Sequence, residues 1–286
     1  MRVPRRAFGR SDVELSALAF GTMRMAPPKF DADGALALLG RLLDHGVTSF
    51  HVSHEYDSYP FVCDALRAAR RARPGAKVEV IAKLASPHFD EPGFSAERLG
   101  AHIDALLTRL GVERVDVAQW MVRHTPNEDP PRLAILERDR LAIAEASERL
   151  KADGKIGAFA VFPYSEPFRR AALGEPFIDG LVDYLNPSEI EAASWLDALQ
   201  ERGQGFVAMR PLFAGKVALD PANIDSALRF PLLHPATAAM VVSVSNDAQA
   251  NQAMAAAQVT ADSNAFRQAL GKWRARSDSN ARPPDS

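Results

Sequence analysis

The chain has 286 residues, 47 % of them apolar, which is enough for one large single-core unit and excludes disorder of the whole chain. Its 34 basic and 36 acidic residues are well mixed and leave a net charge of −2, so there is no basic face for nucleic acid and no acidic block for an electrostatic partner. The lone cysteine, Cys63, excludes an intramolecular disulfide and a thiolate metal site. No segment approaches about 20 uninterrupted apolar residues and MRVPRRAFGR has no apolar stretch behind it, so a cytoplasmic protein without a membrane role, taking a small molecule, is expected.

In chain order, RRAFGRSDVELSALAF carries a central GRSD between alternating apolar residues and reads as a hairpin able to plug the lower mouth of a barrel. Eight short apolar runs then alternate with segments of helical periodicity. The runs fall at 17–22, 48–53, 78–84, 115–121, 157–162, 181–186, 205–211 and 238–244. Each is too apolar to be half exposed, as strands covered on both faces are. Between the first two, ADGALALLGRLLDHG sets Leu36, Leu39 and Leu43 on one stripe with Leu42 beside it, ahead of a terminating Gly46. Between the third and fourth, SAERLGAHIDALLTRLG opens on Ser95, buries Leu99, Ile103, Leu106 and Leu110, and closes on Gly111. A longer helix is expected from about Arg132 to Gly154. Eight such units close into a (β/α)₈ barrel, an α/β fold whose chemistry sits where strands end. One domain over residues 1–276 and a disordered tail over 277–286 complete the expectation.

Several of these stretches resemble the blocks of one barrel family in order and spacing. FGRSDVELSALAFGTM resembles the opening L-G-x-T/S-G-x-x-V-S-x-L-x-L-G-T of the aldo-keto reductases, and ALLGRLLDHGVTSFHVSHEY resembles their A-L-D-x-G-I-N-x-F-D-T-A-x-x-Y. RLGVERVDVAQWM, ERLKADGKIGAFAVF, the NP of DYLNPSE, VAMRPLFAGK and LRFPLLHPATAAMVVSVSN are similar to further blocks, so the likeness spans roughly residues 5 to 258. The resemblance implies a nicotinamide cofactor, NADPH or NADH, over the barrel's upper face and reduction of a small aldehyde or ketone. It also implies a catalytic Asp, Tyr, Lys and His. Tyr56 and Lys83 match the tyrosine and lysine, whereas His51 stands in the aspartate's place and Met121 in the histidine's.

The departures matter chemically. Hydride addition leaves charge on the carbonyl oxygen, and a phenol serves as proton donor there most readily when a nearby cation, Lys83, favours phenolate. The family aspartate anchors that lysine with an attraction of roughly 4 kcal/mol at 4 Å. Neutral His51 brings only a hydrogen bond, while Glu55 can take over as counter-ion if its loop folds inward. A thioether at Met121 has no proton to give; His54 or His124 could restore an imidazole. Phe162 and Pro163 replace the Ser-Asn pair that grips the carboxamide, Met209 replaces the aromatic that stacks on the nicotinamide, and Val182 replaces a glutamine. Arg210, Lys216, Ser243, Ser245 and Asn246 remain as candidate cofactor contacts, the last three at a helix N-terminus that attracts phosphate. With Ser245 near the family's basic position for the 2′-phosphate, nothing favours NADPH over NADH.

Trp120, Met121, His124, Phe162 and Met209 are read as walls of a substrate pocket at the mouth. His51, His54 and Glu55 invite a metal site, but one strand cannot direct all three to one ion, and no metal is assigned. Three functions stay open: a nicotinamide-dependent reductase with a rebuilt site, a barrel without hydride chemistry that binds an apolar ligand or regulates, and an isomerase or lyase using Tyr56 with His51 as acid and base.

Overall fold

A computed structural model describes residues 2–215 and 221–281. The hairpin forms from β1 (Arg5–Ala7) and β2 (Glu14–Ser16), paired antiparallel. Eight parallel strands come after it: β3 (Leu18–Gly21), β4 (Ser49–Val52), β5 (Glu79–Ala85), β6 (Val115–Met121), β7 (Ile156–Val161), β8 (Gly180–Tyr184), β9 (Gly205–Met209) and β10 (Thr237–Val242). They pair in sequence order, and β10 closes onto β3 to complete the barrel. The strands lie within two residues of their expected bounds, and β8, β9 and β10 each stop two residues early. At the end of β9 the reason is visible: Arg210 adopts φ +54°, a left-handed conformation that cannot continue a strand.

The helices that cover the barrel are α1 (Ala32–Asp44), α2 (Tyr59–Ala72), α3 (Ala96–Leu110), α4 (Asp129–Ala152), α5 (Glu166–Leu173), α6 (Leu196–Arg202), α7 (Pro221–Leu232), α8 (Asp247–Ala256) and α9 (Ser263–Ala281). On α3 the Ser95 hydroxyl accepts from the Arg98 amide, Gly111 turns left-handed at the end, and Leu99, Ile103, Leu106 and Leu110 are the buried positions. The stripe of α1 is shifted: Ala35, Leu38, Leu39, Leu42 and Leu43 are buried, and Leu36 only flanks them. Helix α9 is described as far as Ala281, within the expected tail of 277–286, and residues 282–286 lie outside the described ones.

The hairpin fills the lower end. Phe8, Val13 and Leu15 are fully buried and pack with Ile81, Val117, Ala158, Val182 and Val207 in the barrel interior. Space for them is made by glycines at the lower ends of three neighbouring strands: a Cβ on Gly157 would lie 2.5 Å from Val13, and one on Gly180 or Gly205 would lie 2.5 Å from the Phe8 ring. Val182 belongs to this dry layer. The alternation of side chains along each strand then decides what the upper mouth receives.

Candidate active site

Alternation places His51 on β4, Lys83 on β5, and Gln119 and Met121 on β6 toward the barrel axis, while their neighbours Phe50, Leu84 and Trp120 join the layer under the helices. Trp120 is therefore no pocket wall. Its ring stacks on Phe159 at 5.5 Å and its Nε1 donates to the Ser86 carbonyl at 2.6 Å, which corrects its expected place in the mouth.

His51 is fully buried, and its Nε2 lies 2.7 Å from Gln119 Oε1. Burial pushes its pKa down to about 4; the Gln119 bond opposes this and the Lys83 charge adds to it, so the ring is neutral at ordinary pH. Gln119 also faces the Met209 sulfur at 3.8 Å. The ring centres of His51 and Tyr56 are 6.3 Å apart and tilted, and the imidazole's hydrogen bond goes to Gln119. An acid and base pair between those two rings finds no support in this geometry, nor does anchoring of the lysine by His51.

The anchor is Glu55. Ser53 closes the turn after β4 by accepting from the Glu55 amide at 3.2 Å, and this swings the carboxylate over the mouth. Its Oε2 accepts from Lys83 Nζ at 2.8 Å, and the same carboxylate takes both ends of the Arg123 guanidinium, at 2.7 and 3.0 Å. Burial pushes the Glu55 pKa up, but the bonds and charges of Lys83 and Arg123 outweigh it and hold the group below the usual carboxylate range. Arg123 is itself buried. It donates from Nε to the Tyr164 hydroxyl at 3.0 Å, and its Nη1 lies 3.0 Å from His88 Nε2.

Tyr56 stands beside this cluster, with Lys83 Nζ 5.6 Å from the centre of its ring. Its pKa is raised, chiefly by burial and then by the Glu55 and Tyr184 charges; the cations that oppose the rise are Arg123 and Arg210. Lys83 Nζ is engaged by Glu55, and the net shift of the Tyr56 pKa is upward rather than the expected lowering.

Above the layer of His51 and Gln119, Met121, Phe162 and Ala85 form a small apolar cluster with Tyr184 and Met209 at its edge. Phe162 meets Tyr164 and Tyr184 edge-on, at 4.8 and 5.1 Å. Tyr164 holds φ +62° and donates its hydroxyl proton to the Met121 sulfur at 3.2 Å, so a tyrosine from the next loop covers the thioether. Neither histidine considered as a replacement is turned to this spot: His124 Nδ1 lies 3.2 Å from the Pro126 carbonyl, and His54 packs against His102 of α3, 5.0 Å between ring centres. The imidazole that joins the cluster is His88, which the sequence did not single out, as it did not single out Gln119, Arg123, Tyr164 or Tyr184. Among the described residues no group of three or more His, Cys, Asp or Glu could hold a metal ion.

Residues suited to a dinucleotide are only partly in place. Met209 and Tyr184 give a half-exposed apolar shelf that a flat ring could lie against. At the start of α8, Asn246 accepts from the Gln249 amide at 2.9 Å and the Gln249 side chain takes the Ser245 amide at 2.8 Å, a reciprocal cap that consumes donors a phosphate would use. Ser243 donates to the Gly21 carbonyl at 2.7 Å and Asp247 in the first turn adds negative charge. The helix N-terminus and the Ser245 hydroxyl still fit a phosphate, with fewer hydrogen bonds than expected. Lys216 lies outside the described residues. Two cavities of about 540 and 620 Å³ lie at the other end of the barrel, both bordered by Arg10, Gly203 and Gln204, remote in the fold from Tyr56. The charged cluster around Glu55 is at the opposite end, at the mouth.

A closed parallel barrel with a plugging hairpin and a Tyr-Lys pair at strand exits is the plan of an oxidoreductase barrel. The aldo/keto reductase family profile matches residues 17–219, most of the chain, and the protein belongs to that family. An uncharacterized oxidoreductase of Bacillus subtilis, YcsN, is 26 % identical over 241 residues, covering 77 % of this chain and 75 % of that one. The structure is similar to the holo form of aldo-keto reductase AKR11C1 from Bacillus halodurans, with TM-score 0.74 and 18 % identity over 95 % of this chain and 96 % of that one. It is also similar to a putative aldo-keto reductase from Pseudomonas aeruginosa, with TM-score 0.68 and 20 % identity over 88 % and 94 %. At these identities the structural likeness speaks for the fold. Among the described residues no helix is long and apolar enough to cross a membrane.

Proposed function

We propose that the protein is a nicotinamide-dependent reductase of a small aldehyde or ketone whose catalytic site has been rebuilt around Glu55. The observation that carries this reading is the 2.8 Å contact of Lys83 Nζ with Glu55 Oε2 beside Tyr56: the lysine keeps a carboxylate partner although His51 fills the aspartate's place. A chain that had abandoned the chemistry would have little reason to retain a half-buried ion pair there, since desolvation offsets much of its attraction. When bound, the dihydronicotinamide supplies the hydride. The carbonyl's π electrons then become an oxygen lone pair, and Tyr56 Oη gives that oxygen its proton, to be refilled from water. With its pKa raised, Tyr56 stays protonated throughout the neutral range. It is a weak acid, yet an alkoxide is a stronger base than a phenolate, so the transfer runs downhill. Arg123 and Arg210 stabilise the phenolate left behind.

The self-capped α8 and the absence of a basic residue at Ser245 lead us to expect weak dinucleotide binding with little preference between NADPH and NADH. Titration of the protein with each, followed by tryptophan quenching and nicotinamide emission, tests the cofactor part. Micromolar to submillimolar binding, together with aldehyde turnover that Tyr56→Phe reduces about 10²- to 10⁴-fold, is the expected result. Retained turnover in that variant would remove Tyr56 from its role. A second reading, an apolar-ligand barrel without hydride chemistry, draws on Met121, buried and covered by Tyr164 where a proton donor would stand. No dinucleotide binding at millimolar concentration selects that second reading.

A further inference from the structure

Three cations surround the mouth near Tyr56: Lys83, Arg123 and Arg210. Lys83 and Arg123 share the single carboxylate of Glu55. For Arg210, the carboxylate within reach among the described residues is that of Glu189, at 4.0 Å, beyond hydrogen-bond distance, and Glu189 Oε2 is already taken by Asn186 Nδ2 at 2.6 Å. Counting these groups, the mouth carries one positive charge more than it neutralises.

Arg210 is also held in an unusual way. Its backbone is left-handed at φ +54°, which a non-glycine residue keeps only where the surroundings impose it. Its Cζ lies 4.1 Å from the centre of the Tyr184 ring, and 47 % of the side chain is exposed. The field of the same guanidinium reaches the Tyr56 phenol. A half-exposed guanidinium is suited to a carboxylate, which it can take with two parallel hydrogen bonds. The Tyr184 ring under Arg210 meets Phe162 edge-on, and Phe162 meets Tyr164, so the surroundings of the guanidinium are aromatic.

We propose that Arg210 anchors the carboxylate of a monoanionic substrate, so that the carbonyl compound taken at Tyr56 is an oxo acid or an aldehyde acid with an apolar or aromatic body. The name substrate rests on the reductase reading; the anion site does not. The alternative source of an anion for Arg210 is the dinucleotide's phosphate, and the experiment separates the two.

Two probes of equal ring size, 4-formylbenzoate and benzaldehyde, are titrated by ligand-observed NMR without cofactor against the wild-type protein, Arg210→Met and Arg210→Lys; NADPH is titrated separately. The expected result is about 10- to 100-fold tighter binding of the formylbenzoate by wild type. That advantage disappears in Arg210→Met and returns in part in Arg210→Lys, and any loss of NADPH affinity in these variants is smaller than the loss of that advantage. Equal affinity of wild type for the two probes overturns the proposal. So does an Arg210→Met variant that loses NADPH affinity while keeping the formylbenzoate advantage, which would assign Arg210 to the cofactor. Because these are binding measurements, failure to find turnover with any carbonyl compound would count against the reductase reading and leave this comparison intact.

Discussion

The lower end of the barrel and its mouth are built on the same eight strands, yet they handle side chains in opposite ways. Below, Phe8, Val13 and Leu15 enter a space that three glycines leave open, and the layer is fully buried and apolar. Above, two cations share one carboxylate, a third has its carboxylate partner no closer than 4.0 Å, and Tyr164 and Arg210 hold left-handed backbones. The first arrangement maximises burial and contact. The second accepts strain and uncompensated charge, which is the mark of a site shaped to bind something.

The comparison can be broken most forcefully from below. Phe8→Ala should cost about 3–5 kcal/mol in a urea titration, and Gly180→Val, which drives a side chain into the Phe8 ring, a similar amount. Neither should change ligand affinity at the mouth in protein that remains folded. An unchanged midpoint for Phe8→Ala would mean that the hairpin does not carry the lower end.

Next in size is the pH response of His51. Its folded pKa of about 4 lies below the ordinary 6.5, so the unfolded chain takes the proton first as pH falls. The contribution is full above about pH 6.5 and is lost progressively toward pH 4, by roughly 3 kcal/mol. His54 and His234 are shifted in the same direction. The difference between wild type and His51→Gln isolates the buried ring, and identical pH profiles for the two would show that His51 is not held neutral.

Glu55→Gln sharpens the contrast from above. Lys83 and Arg123 lose their shared carboxylate, which should cost about 2 kcal/mol at neutral pH, and turnover should fall more than stability does. Because the folded pKa of Glu55 is lowered, its contribution is present above the ordinary carboxylate value and is lost as pH drops below it. The variant should therefore lack that acid-side loss; an acid limb as steep as wild type would contradict the arrangement. The smallest effect belongs to the self-capped α8: Asn246→Ala should cost about 1 kcal/mol by thermal or urea unfolding.

Much of the frame was legible from pattern alone. Short apolar runs gave the strands, the heptad-like stripe of α3 gave its buried positions, and GRSD gave the hairpin, because each reflects a local periodicity. The mouth was legible only in part. Trp120 and Met121 were both assigned to the pocket, although adjacent residues on a strand face opposite sides; the period of two, applied strictly, sends Trp120 outward and Gln119 inward to His51. Arg123 and Tyr164 come from loops, where no period tells which way a side chain turns. That Glu55 could replace the missing aspartate was readable as a possibility from its charge, but the Ser53 turn that aims it was not. The resemblance put Lys83 beside Tyr56, where its ammonium lies 5.6 Å from the ring centre; that it shares Glu55 with Arg123 was not readable.

The hairpin plug also bears on how the chain reaches this structure. Phe8 emerges early in synthesis, but the glycines that receive it, Gly180 and Gly205, belong to the second half of the sequence. A contact of such sequence separation carries a large loop-closure entropy and forms slowly. The contacts that seal the barrel floor can form only after β8 and β9 have been made. Until then the plug is the segment most open to capture by a chaperone or by another unfinished chain.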